Sequence, residues 1–180
     1  MKADQIELLL EQRQATAISY SRSRGLRADM TRLALRSDAD IGPGLKDRIE
    51  ELRRDLALDA VLVLDRAGQL VAASGSDALR TLSPEFVAEA KHSMASGKPI
   101  SHYLHQDTRL PGAPVLLDYI TPLPATAGSP GIVGAIVLRE YAHNRLSHLM
   151  QEWPTSSPTA ESLLVRRDGD EVLYLSEVRH

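Results

Sequence analysis

At 180 residues, with 43% hydrophobic and 25% charged residues, the chain has the balance of an ordinary globular domain with appendages, which excludes wholesale disorder. The formal net charge of −3, with arginines interleaved among acids as in ELRRDLALD (51–59), argues against a nucleic-acid binder. The absence of cysteine removes disulfides, thiolate metal sites and cysteine nucleophiles together, and no run of about 18 apolar residues is present to cross a bilayer.

The N-terminal stretch MKADQIELLLEQRQ turns charged too soon for a secretory leader. Residues 3–36 carry apolar positions at helical spacing (Ile6, Leu9, Leu10, Ala17, Tyr20, then Leu26, Met30, Leu33), so a long helix is predicted, with Gly25 marking a kink. Gly42-Pro43-Gly44 breaks it, and a second helix is expected over about 45–55. From Asp59 the period becomes that of strands. Runs at 60–64 and 69–73 flank the turn Asp65-Arg66-Ala67-Gly68, a hairpin signature. A short helix then starts at the cap Ser83 with Pro84 and Glu85 in its first turn, and stops at Gly97 and Pro99. Three strands follow, at 100–105, 115–122 and 131–139, then a helix over about 141–152. Residues 153–162 read as a linker, and a last hairpin pairs 163–165 with 172–175.

No crossover helix separates the last three strands of the main unit, so the sheet is expected to be antiparallel and the class α+β. The order of elements resembles the Cache (PDC, PAS-like) sensor domain. Particular stretches carry the resemblance: DAVLVLDRAGQLVAASG as a first hairpin, SPEFVAEAKHSMASGKPISHYLH as a middle helix and third strand, GAPVLLDYITPLP as a fourth strand and GIVGAIVLRE as a fifth. The tail from Leu146 to His180 is similar to the junction between the two modules of a double Cache receptor.

The resemblance implies a five-stranded antiparallel sheet with a long N-terminal helix packed across it. Residues 1–58 would supply that helix and the second one, 59–152 the sheet and its C-terminal helix, 153–162 the linker, and 163–180 the start of a second module. It implies a periplasmic, non-catalytic input domain of a membrane-bound histidine kinase or diguanylate cyclase, with a small-molecule ligand and homodimerisation through the N-terminal helix. Sensors of this type for free amino acids carry a Tyr, Arg, Trp and Asp constellation. Here the sole tryptophan, Trp153, lies in the linker, so a free amino acid is not supported.

Period-two alternation puts Ser101, Tyr103 and His105 on one face of the third strand, Asp118 between Leu116 and Ile120 on the fourth, and Arg139 after Val137 and Ala135 on the fifth. Tyr103, His105, Asp118, Tyr119 and Arg139 are the candidate ligand-binding set. Asp118 would meet a cation, and Arg139 or a protonated His105 a carboxylate. Three of them have a structural alternative: Asp118 satisfying loop donors, Arg139 lying in water at a strand end, Tyr119 packing in the core. No phosphate-binding, zinc or calcium motif is present, so no cofactor or metal is expected. Two other readings stay open. One is a ligand-free dimerisation module; the other is an enzyme assembled from Ser74, Ser76, His105 and Asp118.

Overall fold

A computed structural model describes residues 2–35, 43–110, 112, 114–126, 131–144, 165–168 and 171–174. Three helices come first: α1 (Lys2–Ser21), α2 (Arg24–Leu35) and α3 (Pro43–Asp55). The hairpin β1 (Ala60–Asp65) and β2 (Leu70–Gly75) follows, then a 3-10 turn at Ala78–Arg80, helix α4 (Pro84–Ser96), and strands β3 (Ile100–Gln106), β4 (Val115–Pro124) and β5 (Ile132–Tyr141). These five strands form one sheet in the order β2-β1-β5-β4-β3, with every neighbouring pair antiparallel. The α+β class and the five-stranded antiparallel sheet are therefore as expected.

The local signals act as their chemistry requires. Ser83 accepts the Phe86 N–H at 3.0 Å, Pro84 occupies the first helical position, and Gly97 ends α4 in the left-handed region at φ +67°. In the first hairpin Asp65 accepts the Gln69 N–H at 2.8 Å, while Gly68 supplies the positive φ of the turn.

The helical stretch expected over 3–36 is two helices, and the break falls at Arg22–Ser23 rather than at Gly25. Arg22 and Ser23 donate to Ser19 and Tyr20, a tightened 3-10 exit, and the Ser23 carbonyl then accepts the Arg27 N–H to open α2. Gly25 sits inside the first turn of α2, where a Cβ would lie 2.6 Å from Arg48 Nη1 of α3. A side chain there would displace only the tip of the half-exposed Arg48 side chain.

Both faces of the sheet are covered. On one, Ala17, Leu26, Met30, Ile49 and Leu52 of the N-terminal helices pack on Val61, Val63, Leu117, Tyr119, Ile136 and Leu138. On the other, Leu79, Phe86, Ala90, Met94 and Leu110 pack on Leu62, Leu64, Leu116, Ile120, Ala135 and Val137. Double coverage explains why β1 reads as a continuous apolar run instead of alternating.

At the C-terminal end Ala142–Asn144 are helical, while the rest of the helix expected to residue 152 and the linker at 153–162 lie outside the described residues. The last hairpin is present as a separate two-stranded sheet, β6 (Val165–Asp168) with β7 (Glu171–Tyr174). Its first strand runs further towards the turn than the sequence suggests, because Arg167 and Asp168 pair with Val172 and Glu171.

Candidate functional site

One rung of the sheet carries the chemistry. Tyr103 of β3 lies opposite Asp118 of β4, which lies opposite Arg139 of β5, which lies opposite Ala60 of β1. Residues opposite one another point to the same face, and here that face is the one closed by α4. Arg139 Nε and Nη2 donate to the two oxygens of Asp118 at 2.8 and 2.7 Å, a bidentate fork. His105 donates from Nε2 to Asp118 Oδ2 at 2.8 Å and stacks on the Tyr103 ring at 4.9 Å. Arg139 and Asp118 are 1% and 0% exposed, whereas His105 retains 12% and forms the solvent-side rim.

Four of the five candidates thus converge. Tyr119 does not: strand alternation turns it to the opposite face, where it is fully buried among Leu117, Leu123 and Leu138 in the core beneath the N-terminal helices. Alternation along β3 is also interrupted. A bulge between Ile100 and Tyr103 puts both of these residues in the α4-side cluster, so the simple period does not carry through Ser101.

The remaining donors of Arg139 reach across to the cover. Nη1 donates to the Leu79 carbonyl at 2.9 Å and to the Thr81 carbonyl at 3.4 Å, and the guanidinium carbon lies 4.8 Å from the centre of the Phe86 ring. A second fork holds the same cover segment. Arg109 binds Asp107 through Nε and Nη2 at 2.9 and 2.7 Å and donates from Nη1 to the Leu82 carbonyl at 2.9 Å. Phe86, Asp107 and Arg109 were absent from the sequence-derived set. The only local signal for the last two is an Asp-Thr-Arg spacing in the β3–β4 turn; their role depends on a tertiary contact.

Burial pushes the Asp118 carboxyl up, but the Arg139 charge and hydrogen bonds, with a contribution from His105, outweigh this and hold it below the ordinary carboxylate value. A group depressed in the folded state stabilises the fold above its unfolded pKa of about 3.9 and loses that stabilisation as pH falls below it. Melting temperatures should therefore decline below about pH 4, and the decline should be shallower in Asp118→Asn. Equal acid slopes in the two proteins would remove Asp118 as a source of that dependence.

The Ser74, Ser76, His105 and Asp118 assembly is not brought together. Ser74 lies on β2 and His105 on β3, at opposite edges of the five-stranded sheet. Four strand spacings put them roughly 19 Å apart. Ser74 instead donates to Glu50, and Arg53 Nε donates to Ser74 at 3.0 Å. Hydrogen bonds from Arg53 and Ser74 push the Glu50 carboxyl down to about 2. Among the described residues no group of three or more His, Asp or Glu is placed to hold a metal ion.

No family model matches this sequence, and no curated protein does. Solved structures do. The sensor domain of the V. cholerae histidine kinase DctB is similar over 87% of this chain and 56% of its own length, at 18% identity and a TM-score of 0.64. The ligand-binding domain of the Pseudomonas aeruginosa PAO1 amino acid chemoreceptor PctC, in complex with GABA, matches over 83% and 63%, at 15% identity and a TM-score of 0.53. That of the Campylobacter jejuni chemoreceptor Tlp3, in complex with L-valine, matches over 83% and 62%, at 14% identity and a TM-score of 0.54. The chain thus spans less than two thirds of each of these domains. Its strand order, its N-terminal helices packed on one sheet face and these likenesses show that it shares the fold of these sensor domains, the fold that the Cache resemblance implies.

Proposed function

We propose that the chain is a non-catalytic, extracytoplasmic input domain of a bacterial membrane receptor of the histidine kinase or diguanylate cyclase kind. It binds a small polar metabolite at the Tyr103, His105, Asp118 and Arg139 cluster. The observation that carries this reading is the burial of a bidentate ion pair, with a histidine on its solvent side, on the sheet face beneath α4. A few convergent polar groups in an otherwise apolar setting are what a small-ligand site presents, and this cluster therefore supports a recognition role. The GABA and L-valine complexes of similar domains support a small-metabolite ligand. Tyr119 enters this site only as the neighbour of Asp118 in sequence. In the same reading β6 and β7 open a second, membrane-proximal module after the linker at 153–162.

Signalling requires only that the ligand bind one arrangement of the domain more tightly than another. The test is a thermal-shift screen of small carboxylates, amines and nucleobase-like metabolites, GABA and L-valine included. At least one compound should raise the melting temperature, and Asp118→Asn should abolish the rise. A screen in which nothing stabilises the domain sinks the reading.

A dimerisation role is the second reading, favoured by Leu8, a large apolar residue of α1 that is 54% exposed. Sedimentation should then give a dimer that Leu8→Glu dissociates; a monomer at every concentration would remove it.

A further inference from the structure

The side chain of Arg139 is enclosed by groups that together recognise an organic cation. The Asp118 carboxylate takes two of its N–H groups, and the carbonyls of Leu79 and Thr81 take two more. The Phe86 ring lies 4.8 Å from the guanidinium carbon, offering the negative face of its quadrupole. Each wall comes from a different element: β4, the segment around the 3-10 turn, and α4. Asp118, Leu79 and Phe86 are all nearly or fully buried, so the charge is met in a desolvated space, where such contacts are strongest. A simple ion pair between neighbouring strands would need only the carboxylate. The aromatic face and the two carbonyls belong to the cover, and Arg139 reaches from the sheet to meet them.

We propose that Asp118, the Phe86 face and the Leu79 and Thr81 carbonyls form a cage for a guanidinium-type organic cation, and that Arg139 is its built-in occupant. The domain thereby carries an internal mimic of its ligand, and a free guanidinium compound enters only where Arg139 leaves. This last clause rests on the sensor reading above; the cage itself does not.

The experiment removes the occupant. Arg139→Ala is melted with and without millimolar ethylguanidinium, far below denaturing concentrations, and with N-ethylurea as a neutral compound of similar shape. The cation should raise the melting temperature by on the order of 5 °C at about ten times its Kd. N-ethylurea should not, and the response should vanish in Arg139→Ala/Asp118→Asn. If Arg139→Ala is unfolded in buffer, the same additives are tested for recovery of its folded circular-dichroism signal, with the same ranking expected. Equal effects of the cation and the urea, or no effect of the cation in either assay, overturn the cage. The wild-type protein reports separately on sensing. A rise there extends the cage to a natural ligand of this class, and its absence makes Arg139 a permanent occupant while leaving the cage intact.

Discussion

Replacing Arg139 with Met should cost about 3–5 kcal/mol of stability at neutral pH, because it leaves the fully buried Asp118 carboxylate without its guanidinium partner. Urea unfolding measures this directly. The loss should itself depend on pH. Without Arg139, burial dominates the Asp118 environment and raises its pKa. The variant then gains stability, relative to wild type, as pH falls from 7 towards 4 and the carboxyl becomes neutral. Asp118→Asn leaves the opposite charge stranded. A guanidinium cannot shed its proton in this range, so that variant has no acid relief. The double variant Asp118→Leu/Arg139→Met should be more stable than Asp118→Leu or Arg139→Met alone, since two apolar side chains replace two charges. It should still fall short of wild type. The carbonyls of Leu79 and Thr81 lose their Arg139 donor, and a buried acceptor left unmade costs about 1–3 kcal/mol. A double variant whose loss equals the sum of the single losses would show that the pair is not energetically coupled.

How far the sequence alone specifies this cluster depends on which symmetry each residue obeys. Alternation along β4 and β5 suffices to place Asp118 with Leu116 and Ile120, and Arg139 with Val137 and Ala135, because a strand has a strict period of two. The same rule separates Tyr119 from Asp118, so grouping the two in one site conflicted with it. Pairing is another matter. That Asp118 meets Arg139 depends on the β4–β5 register, and a slip of one residue would turn either side chain to the other face. Nothing in the local sequence fixes that register. The helix caps at Ser83 and Gly97 were legible because capping is a local interaction. The break at Arg22–Ser23 was not, since it answers to the seating of α1 and α2 on a shared core; Gly25, the obvious breaker, lies inside α2. Contacts between distant residues left no trace in the chain. Arg13 of α1 donates to Glu140 at 2.9 Å and to the Leu56 carbonyl at 3.2 Å, tying the first helix to β5 and to the turn that follows α3. No spacing could have announced a bond between positions 13 and 140. The fold was therefore more legible than the site: periodicity and caps specify elements, while recognition depends on which elements become neighbours.

Phe86 is where the two levels meet, and Phe86→Ala should cost about 3–5 kcal/mol. It is the sole phenylalanine of the chain and is fully buried, packed by α4 against the face formed by Leu62, Leu116 and Val137. Truncation loses the transfer energy of the ring and leaves a cavity that strands paired on both sides cannot collapse to fill. Phe86→Leu separates packing from electrostatics. It restores most of the volume, and a swap of that kind costs under about 1.5 kcal/mol when packing alone is at stake. Phe86 also faces the Arg139 guanidinium and lies 6.0 Å from the His105 ring. A desolvated cation over an aromatic face is worth about 2 kcal/mol or more, so Phe86→Leu should cost more than packing predicts. The excess should disappear when Phe86→Leu is made in an Arg139→Met background, where no cation remains to face the ring. Urea unfolding of the four proteins supplies the cycle. An excess that persists without Arg139 would assign the whole effect to shape, and Phe86 would then be a core residue with no part in holding charge.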